Sequence, residues 1–311
     1  MEIIRGLHNL RPRHRGCIAT IGNFDGVHLG HQAVLGQLAE KAASLSLPTV
    51  VVTFEPQPRE VFTAGATPPR LSRFREKVQT LRRFSVDRVV CLRFSKKFSE
   101  MTAEEFIQRL LVNGLGVKYL VVGDDFRFGH GRKGDFALLS RAGDAHGFQV
   151  ARMHSFYVDG QRVSSTLIRD ALRDGDLVAA EKYLGRPYRM SGRVARGDQR
   201  GRTIGFPTAN IHLHRKATPV QGVFAVEVFG LDHEPALGVA NVGTRPTVDG
   251  TRSLLEIHLL DFAGDIYGRY VQVDFLHKLR SEQKFPNLDA LKEQIARDVA
   301  AAHRYFSQPG P

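Results

Sequence analysis

The sequence predicts two domains of different class: an α/β domain on a mostly parallel sheet, then a smaller antiparallel β-barrel with a helix after it. Three features point there. The chain has 311 residues, more than one hydrophobic core usually serves. Through the first half, near-continuous β-branched runs alternate with helical segments, as in a sheet whose strands are buried on both faces. After Tyr188, short strands follow one another across glycine-rich connections with no long helix between them. The change of pattern places the boundary at 183/184, giving domains 1–183 and 184–311.

In chain order, CIATIGNF (17–24) reads as a strand and His31 to Leu45 as a helix. PTVVVTF (48–54) is a second strand, and a helix covers Phe74 to Phe84. VDRVVCLRF (86–94) follows, then a helix opened by Thr102, with Glu105 closing a capping box. VKYLVVG (117–123) is the fourth strand, and Asp135 caps the next helix. Ser165 caps the short helix TLIRDALRDG; another runs from Asp176 to Tyr183 and ends at Gly185 and Pro187. The barrel strands are YRMSGRVARG, GVFAVEVFG, PALGVANVG, SLLEIHLLDF and RYVQVDFLHKL. A helix from Leu288 to Phe306 closes the chain, with Leu291, Ile295, Val299 and Ala302 as its apolar stripe.

Apolar residues at 42% and charged residues at 24% exclude fibrous and broadly disordered classes. The N-terminus carries no signal-like apolar run, and no stretch reaches membrane-spanning length. Cys17 and Cys91 each sit in an apolar run and read as reduced core thiols of a cytoplasmic protein. The formal charge of +12 points to an anionic partner. Its lysines and arginines are scattered, without the tail or dense stripe of a polynucleotide binder, so small polyphosphates fit as well.

No Walker A pattern occurs, which disfavours a P-loop phosphotransferase. Gly129, Gly131 and Gly134 spell G-x-G-x-x-G, but beyond Asp125 and not in the first turn after strand one, so a dinucleotide fold is disfavoured. The turn between strand one and helix one is more informative. Gly22, Gly26 and Gly30 allow sharp turns and close approach of a ligand around Asn23, Phe24 and Asp25. Free amides at the helix start attract anions, and His28 and His31, at i and i+3, can point together at phosphates. An imidazole there can equally cap a turn. Downstream, Ser164, Ser165 and Thr166 precede Arg169, whose guanidinium can reach the same oxygens; an ordinary cap with a solvated arginine is the plain alternative.

In the second half, Gly197, Gly201 and Gly205 recur at four-residue spacing among arginines that include Arg202. Starting from Gly192, such a loop can curl around phosphates. Pro207 stiffens the chain before Thr208 and Asn210, which present oxygens on one side of an extended backbone. A hydroxyl and an amide carbonyl suit Mg²⁺ when a nucleotide supplies the negative charge; turn hydrogen bonds are the alternative. Glu256 can accept a proton from an attacking alcohol, or be a solvated strand carboxylate. Ser253 breaks the alternation and leaves its face open.

GNFDGVHLGH, FEPQPREVF, VGDDFRFGHGRKGD and SSTLIR together resemble the adenylyltransferase half of the bacterial bifunctional riboflavin kinase/FAD synthetase family. HLGH alone is similar to the wider histidine-motif nucleotidyltransferases. GRTIGFPTAN, GVFAV, NVGTRPT, LLEIHLLDF and FLHKLRSEQKF resemble the riboflavin kinase half, in the same order. The resemblance runs from about residue 15 to 306.

It implies a Rossmann-like nucleotidyltransferase domain and a six-stranded Greek-key barrel with a C-terminal helix. The implied reactions are phosphorylation of riboflavin by ATP and adenylylation of the FMN formed, assisted by Mg²⁺. By the same resemblance His28, His31 and Arg169 serve ATP, while Phe54, Pro56, Pro58, Asp125, Phe126 and Arg127 line the flavin. Phe54 and Phe126 also fit as core residues. Thr208 and Asn210 match the Mg²⁺–ATP site, Glu256 the base, and Arg280 with Glu282 a flap near the flavin. Phe224 departs from the family, which often has tyrosine there. The implied partners are small molecules, with neither nucleic acid nor membrane. Two alternatives stand: one site alone active, or a basic α/β protein that binds RNA.

Overall fold

A computed structural model describes residues 1–63, 67–196, 205–215, 217–247 and 250–308. The chain divides into two compact units, Met1–Pro68 with Ser72–Ser164, and Pro69–Leu71 with Ser165–Pro311.

The first unit is a six-stranded sheet of β1 (Glu2–Arg5), β2 (Cys17–Ile21), β3 (Thr49–Phe54), β4 (Arg88–Leu92), β5 (Val117–Gly123) and β6 (Gln149–Met153). Its order is β1-β4-β3-β2-β5-β6, with every pair parallel. The helices are α1 (Leu29–Leu45), α2 (Pro58–Phe62), α3 (Phe74–Arg82), α4 (Lys96–Ser99), α5 (Ala103–Phe106) and α6 (Phe136–His146). Strand parity divides the apolar residues into two cores. Ile18, Val51, Val89 and Val121 meet Leu35 and Leu38 of α1 and Leu81 of α3. Ala19, Ile21, Val50, Val52, Leu120 and Val122 meet Phe106, Leu110 and Leu139 on the other face. Strand β2 starts both the leftward run to β3 and β4 and, across β5, the rightward one. The crevice at the carboxyl ends of β2 and β5 is therefore the topological switch point, where open α/β sheets bind ligands.

Thr102 and Glu105 form the anticipated capping box of α5, and Asp135 caps α6 through the Leu138 amide. Strands β1 and β6 were not anticipated: each is an edge strand with a single neighbour, and neither carries the continuous apolar run of the central strands. Ser165 is the first residue of α7 (Ser165–Asp174) and not the residue before it.

In the second unit α7 and α8 (Leu177–Leu184) precede a closed antiparallel barrel, ordered β10-β13-β12-β11-β14-β9. Its strands are β9 (Tyr188–Ala195), β10 (Ala209–His212), β11 (Gly222–Phe229), β12 (Ala236–Thr247), β13 (Gly250–Leu259) and β14 (Tyr270–Arg280). A separate two-stranded hairpin, β7 (Tyr157–Val158) with β8 (Gln161–Arg162), belongs to the first unit. Helix α9 (Leu288–Ser307) packs Val299, Ala302, Tyr305 and Phe306 on Val223, Ala225, Val239 and Leu260. Phe224 has the opposite parity and is fully buried, its ring edge-on to Phe275. Helix α8 packs against β9 and β14, which is why compactness groups the helix pair with the barrel.

Candidate active sites

In the first unit the chain leaves β2 into a tight turn tied to β3 and to the segment before α3 by hydrogen bonds. The Gly22 amide donates to the Val52 carbonyl at 3.0 Å. The Thr53 hydroxyl donates to the Asn23 carbonyl at 3.3 Å. The Ser72 amide donates to Asp25 Oδ1 at 3.0 Å, and the Gly26 amide to Ser72 Oγ at 3.0 Å. Asp25 is thus a buried clasp and not a free ligand, while Asn23 is exposed. The clasp holds unfavourable backbone: Phe24 and Val27 have φ of 48° and 44°. Gly26, at φ 82°, is where glycine is required.

His28 is the N-cap residue of α1, and its ring stacks on that of His31 with centroids 3.7 Å apart. A side chain at Gly30 would meet the His28 ring at 3.3 Å, so the glycine leaves room for the stack. Nδ1 of His31 is buried with no hydrogen-bond partner among the described residues. Burial, then the neighbouring His28, then the Lys77 ammonium hold the His31 imidazole well below its ordinary pKa. The lowered pKa favours the neutral imidazole, which has one N–H to donate and one nitrogen to accept. The pair lies at the switch point, and an orphaned imidazole nitrogen beside a glycine turn whose Asn23 is exposed suits a polyphosphate.

After β5, Asp124 binds the Ser155 amide and hydroxyl, and Asp125 takes a 2.6 Å bond from Arg162. Burial pushes the Asp124 carboxyl up, but the Ser155 bonds and Arg162 outweigh it and hold it below the usual value. Phe126 stacks on Phe128 at 5.5 Å, and Arg127 is exposed. Phe54 contacts Phe94 and Phe98, so an aromatic row runs from it through Phe98, Phe106 and Phe128 to Phe126. Phe54 and Phe126 are half-buried against the core, which lets them both pack and line a face. Pro56 is half-buried and Pro58 opens α2. Ser164 is half-buried at the end of the first unit, as Ser165 is at the start of α7, whereas Thr166 is exposed. Arg169, in the second unit, donates from Nε to the Pro69 carbonyl at 2.7 Å.

Of the glycines at 129, 131 and 134, the first and last serve packing, whereas Gly131 takes φ 61° with no close neighbour among the described residues. A side chain at Gly129 would strike the Ala103 backbone at 2.6 Å, and one at Gly134 the Phe128 ring at 2.7 Å.

In the barrel, register resolves the face of Glu256. Leu255 and Ile257 point inward and are buried, so Glu256 points outward. Its cross-strand partners are Asn210 on one side and Asn241 on the other, placing a carboxylate between two amides in one lateral row. Thr208, two residues before Asn210, is half-buried. The segment ahead of it is anchored by His258, whose Nδ1 donates to the Pro207 carbonyl at 2.9 Å. Phe206 sets its ring edge-on to the same imidazole. Gly205 takes φ 85°, and a side chain at Gly192 would meet the His212 carbonyl at 2.5 Å, so the latter glycine permits β9 to approach β10. Gly197 and Arg202 lie outside the described residues.

Thr208 and Asn210 supply neutral oxygens, and no group of three acidic, histidine or cysteine side chains that could hold a metal occurs among the described residues. That donor set fits Mg²⁺ when a nucleotide brings the charge. Sequence reasoning passed over Asn241 and His258, because a polar residue in a strand ordinarily marks a solvated face.

Arg280 and Glu282 behave differently from each other. The Arg280 guanidinium is locked on buried Asp298 of α9, with Nε–Oδ1 at 2.9 Å and Nη2–Oδ2 at 2.8 Å. Gln294 donates to the same carboxylate. Arg280 thus ties β14 to α9. Removing the carboxylate should leave this guanidinium without its partner: Asp298→Ala is expected to lower stability by about 2 kcal/mol in denaturant unfolding. An unchanged midpoint would show the pair to be ornamental. The Glu282 carboxylate lies where a Gly243 side chain would be, 2.6 Å from that position, on the face that carries Asn241.

Comparison with known proteins bears on both units. A family model described as FAD synthetase matches residues 10–167, and one described as riboflavin kinase matches 184–306. A bifunctional riboflavin kinase/FMN adenylyltransferase of Escherichia coli (strain K12) is 53% identical over 312 residues, covering all of both chains. That of Haemophilus influenzae is 52% identical over 99% of this chain and 100% of its own. That of Pseudomonas fluorescens is 53% identical over 97% of each. Among solved structures, a Streptococcus pneumoniae protein described as a macrolide-efflux protein superposes with a TM-score of 0.83 at 31% identity. The match covers 97% of this chain and 99% of that one. No helix among the described residues of this chain is long and apolar enough to cross a membrane.

Proposed function

This chain belongs to the bifunctional riboflavin kinase/FAD synthetase family, and on that premise we propose that it makes FAD from riboflavin in two ATP-dependent steps, one in each half. The observation that carries the reading is that each compact unit holds a polar cluster of its own: the stacked His28–His31 pair in one, the Asn210–Glu256–Asn241 row in the other. We assign adenylyl transfer to 1–183 and phosphorylation to 184–311, since the two family matches stop at 167 and resume at 184.

In the first reaction the primary hydroxyl of the ribityl chain attacks the γ-phosphorus of ATP and ADP leaves. Glu256 takes the hydroxyl proton as the new O–P bond forms. Thr208 and Asn210 would hold Mg²⁺, which when bound would neutralise charge on the phosphates. Glu282, together with the Arg280-anchored strand end, borders the flavin. In the second reaction a phosphate oxygen of FMN attacks the α-phosphorus of a second ATP, and the bond to pyrophosphate breaks. His28 and His31 donate hydrogen bonds to the departing pyrophosphate, and Arg169 supplies positive charge. Phe54, Pro56, Pro58 and Phe126 give the isoalloxazine a flat apolar wall, with Asp125 and Arg127 at its polar rim. The turn from Gly22 to Gly26, with Gly30 and Ser164 to Thr166, borders the nucleotide.

Purified protein given riboflavin, ATP and Mg²⁺ is expected to release FMN and then FAD, resolved by chromatography. FMN without FAD would mean a decayed adenylyl site. No flavin product, with salt-sensitive RNA retention on a filter, would replace the enzyme reading by a polynucleotide-binding one.

A further inference from the structure

A buried ammonium sits behind the histidine turn. Lys77 of α3 is 1% exposed, in a position where an amphipathic helix would normally place an apolar residue. Its Nζ donates to the Thr53 hydroxyl at 3.4 Å, and that hydroxyl donates in turn to the carbonyl of Asn23 at 3.3 Å. Thr53 is fully buried in β3. One hydroxyl can accept from the ammonium and donate to the carbonyl at once, and each bond polarises the other. The relay ends on the backbone of the one exposed residue in the turn, immediately before Phe24 with its φ of 48°. The same ammonium lowers the pKa of His31, after burial and His28.

We propose that Lys77 and Thr53 are positioning residues for adenylyl transfer, fixing the Gly22–Asp25 turn so that bound nucleotide meets the His28–His31 pair in reactive alignment. This rests on the reading of that turn as the adenylyl site. Neither side chain touches substrate. Their effect runs through the Asn23 carbonyl, the point at which β3 and α3 together grip the turn. Other grips, Gly22 on Val52 and the Asp25–Ser72–Gly26 clasp, hold the turn on either side of Asn23, while the Thr53 hydroxyl reaches the Asn23 carbonyl itself.

The test uses full-length protein with FMN and ATP, and riboflavin phosphorylation on the same preparation as internal control. Thr53→Val keeps shape and removes the hydroxyl; Thr53→Ser restores it; Lys77→Met keeps the stem and removes the ammonium. Thr53→Val and Lys77→Met are each expected to lower kcat for adenylyl transfer roughly tenfold, as a misaligned ground state does, with KM for ATP changed less than about threefold. Thr53→Ser should stay near the unaltered protein, and the Val/Met double variant should be no worse than either single one. Unchanged kcat in Thr53→Val overturns the proposal, as does an equal loss in Thr53→Ser, which would reduce Thr53 to packing. If Lys77→Met does not fold, the Val/Ser pair decides. Should His28→Ala also leave adenylyl transfer intact, the reading of the turn itself fails; if His28→Ala abolishes it while Thr53→Val does nothing, this inference alone falls.

Discussion

Glu256→Gln should lower riboflavin phosphorylation by roughly 10²–10⁴-fold, the usual scale for a positioned base, while FMN supplied directly is still converted to FAD. The nucleophile is an alcohol, and its proton must leave as oxygen bonds to phosphorus. A carboxylate can accept that proton late in a loose transfer. Glutamine keeps the shape but cannot take the proton. The barrel should survive the change, because Glu256 points away from the packed interior formed by Leu255 and Ile257. Binding of riboflavin and ATP should stay largely intact, so the loss falls on turnover. Two turnover assays on one preparation, from riboflavin and from FMN, check this. Near-normal FMN production would return Glu256 to the class of solvated strand carboxylates. Loss of both reactions in a folded variant would instead deny that the two sites are independent.

The second large effect belongs to His28. His28→Ala should lower FMN adenylylation by about 10²-fold, the ~3 kcal/mol carried by one well-placed donor to developing charge. FMN formation should be unaltered. The ring also forms one side of the stack with His31, so the substitution removes a donor and leaves its neighbour less constrained. His28→Asn keeps a donor without the stacked ring and should fall between the two. Steady-state rates with FMN as substrate give the answer. If the Ala and Asn variants match the unaltered rate, the imidazole is a turn cap and the nucleotide sits elsewhere.

How far the sequence could be read depended on how local each cause was. Strand β5 was legible from Val117 to Gly123 because both its faces are buried, which leaves a run of apolar side chains in the text. The capping box at Thr102 and the cap at Asp135 were legible for the same kind of reason: both ends of each hydrogen bond lie within one turn. Edge strands β1 and β6 were not, since one neighbour leaves no such run. The histidine turn announced itself through its glycines. Its supports did not: Ser72, Thr53 and Lys77 come from other elements, and in their own segments they read as a loop serine, a strand threonine and a helix-surface lysine.

By itself, then, the sequence determined the two fold classes, the glycine turn with its histidines and the Pro207–Asn210 segment, all set by short-range periodicity, turn chemistry and motif. Tertiary structure alone decided which way Glu256 faces, that Asn210 and Asn241 flank it, that Arg280 belongs to Asp298, and that a buried ammonium stands behind Asn23. These are facts of register and packing between distant segments. A one-residue slip between β13 and its neighbours would turn Glu256 to the opposite face without changing a letter of the sequence.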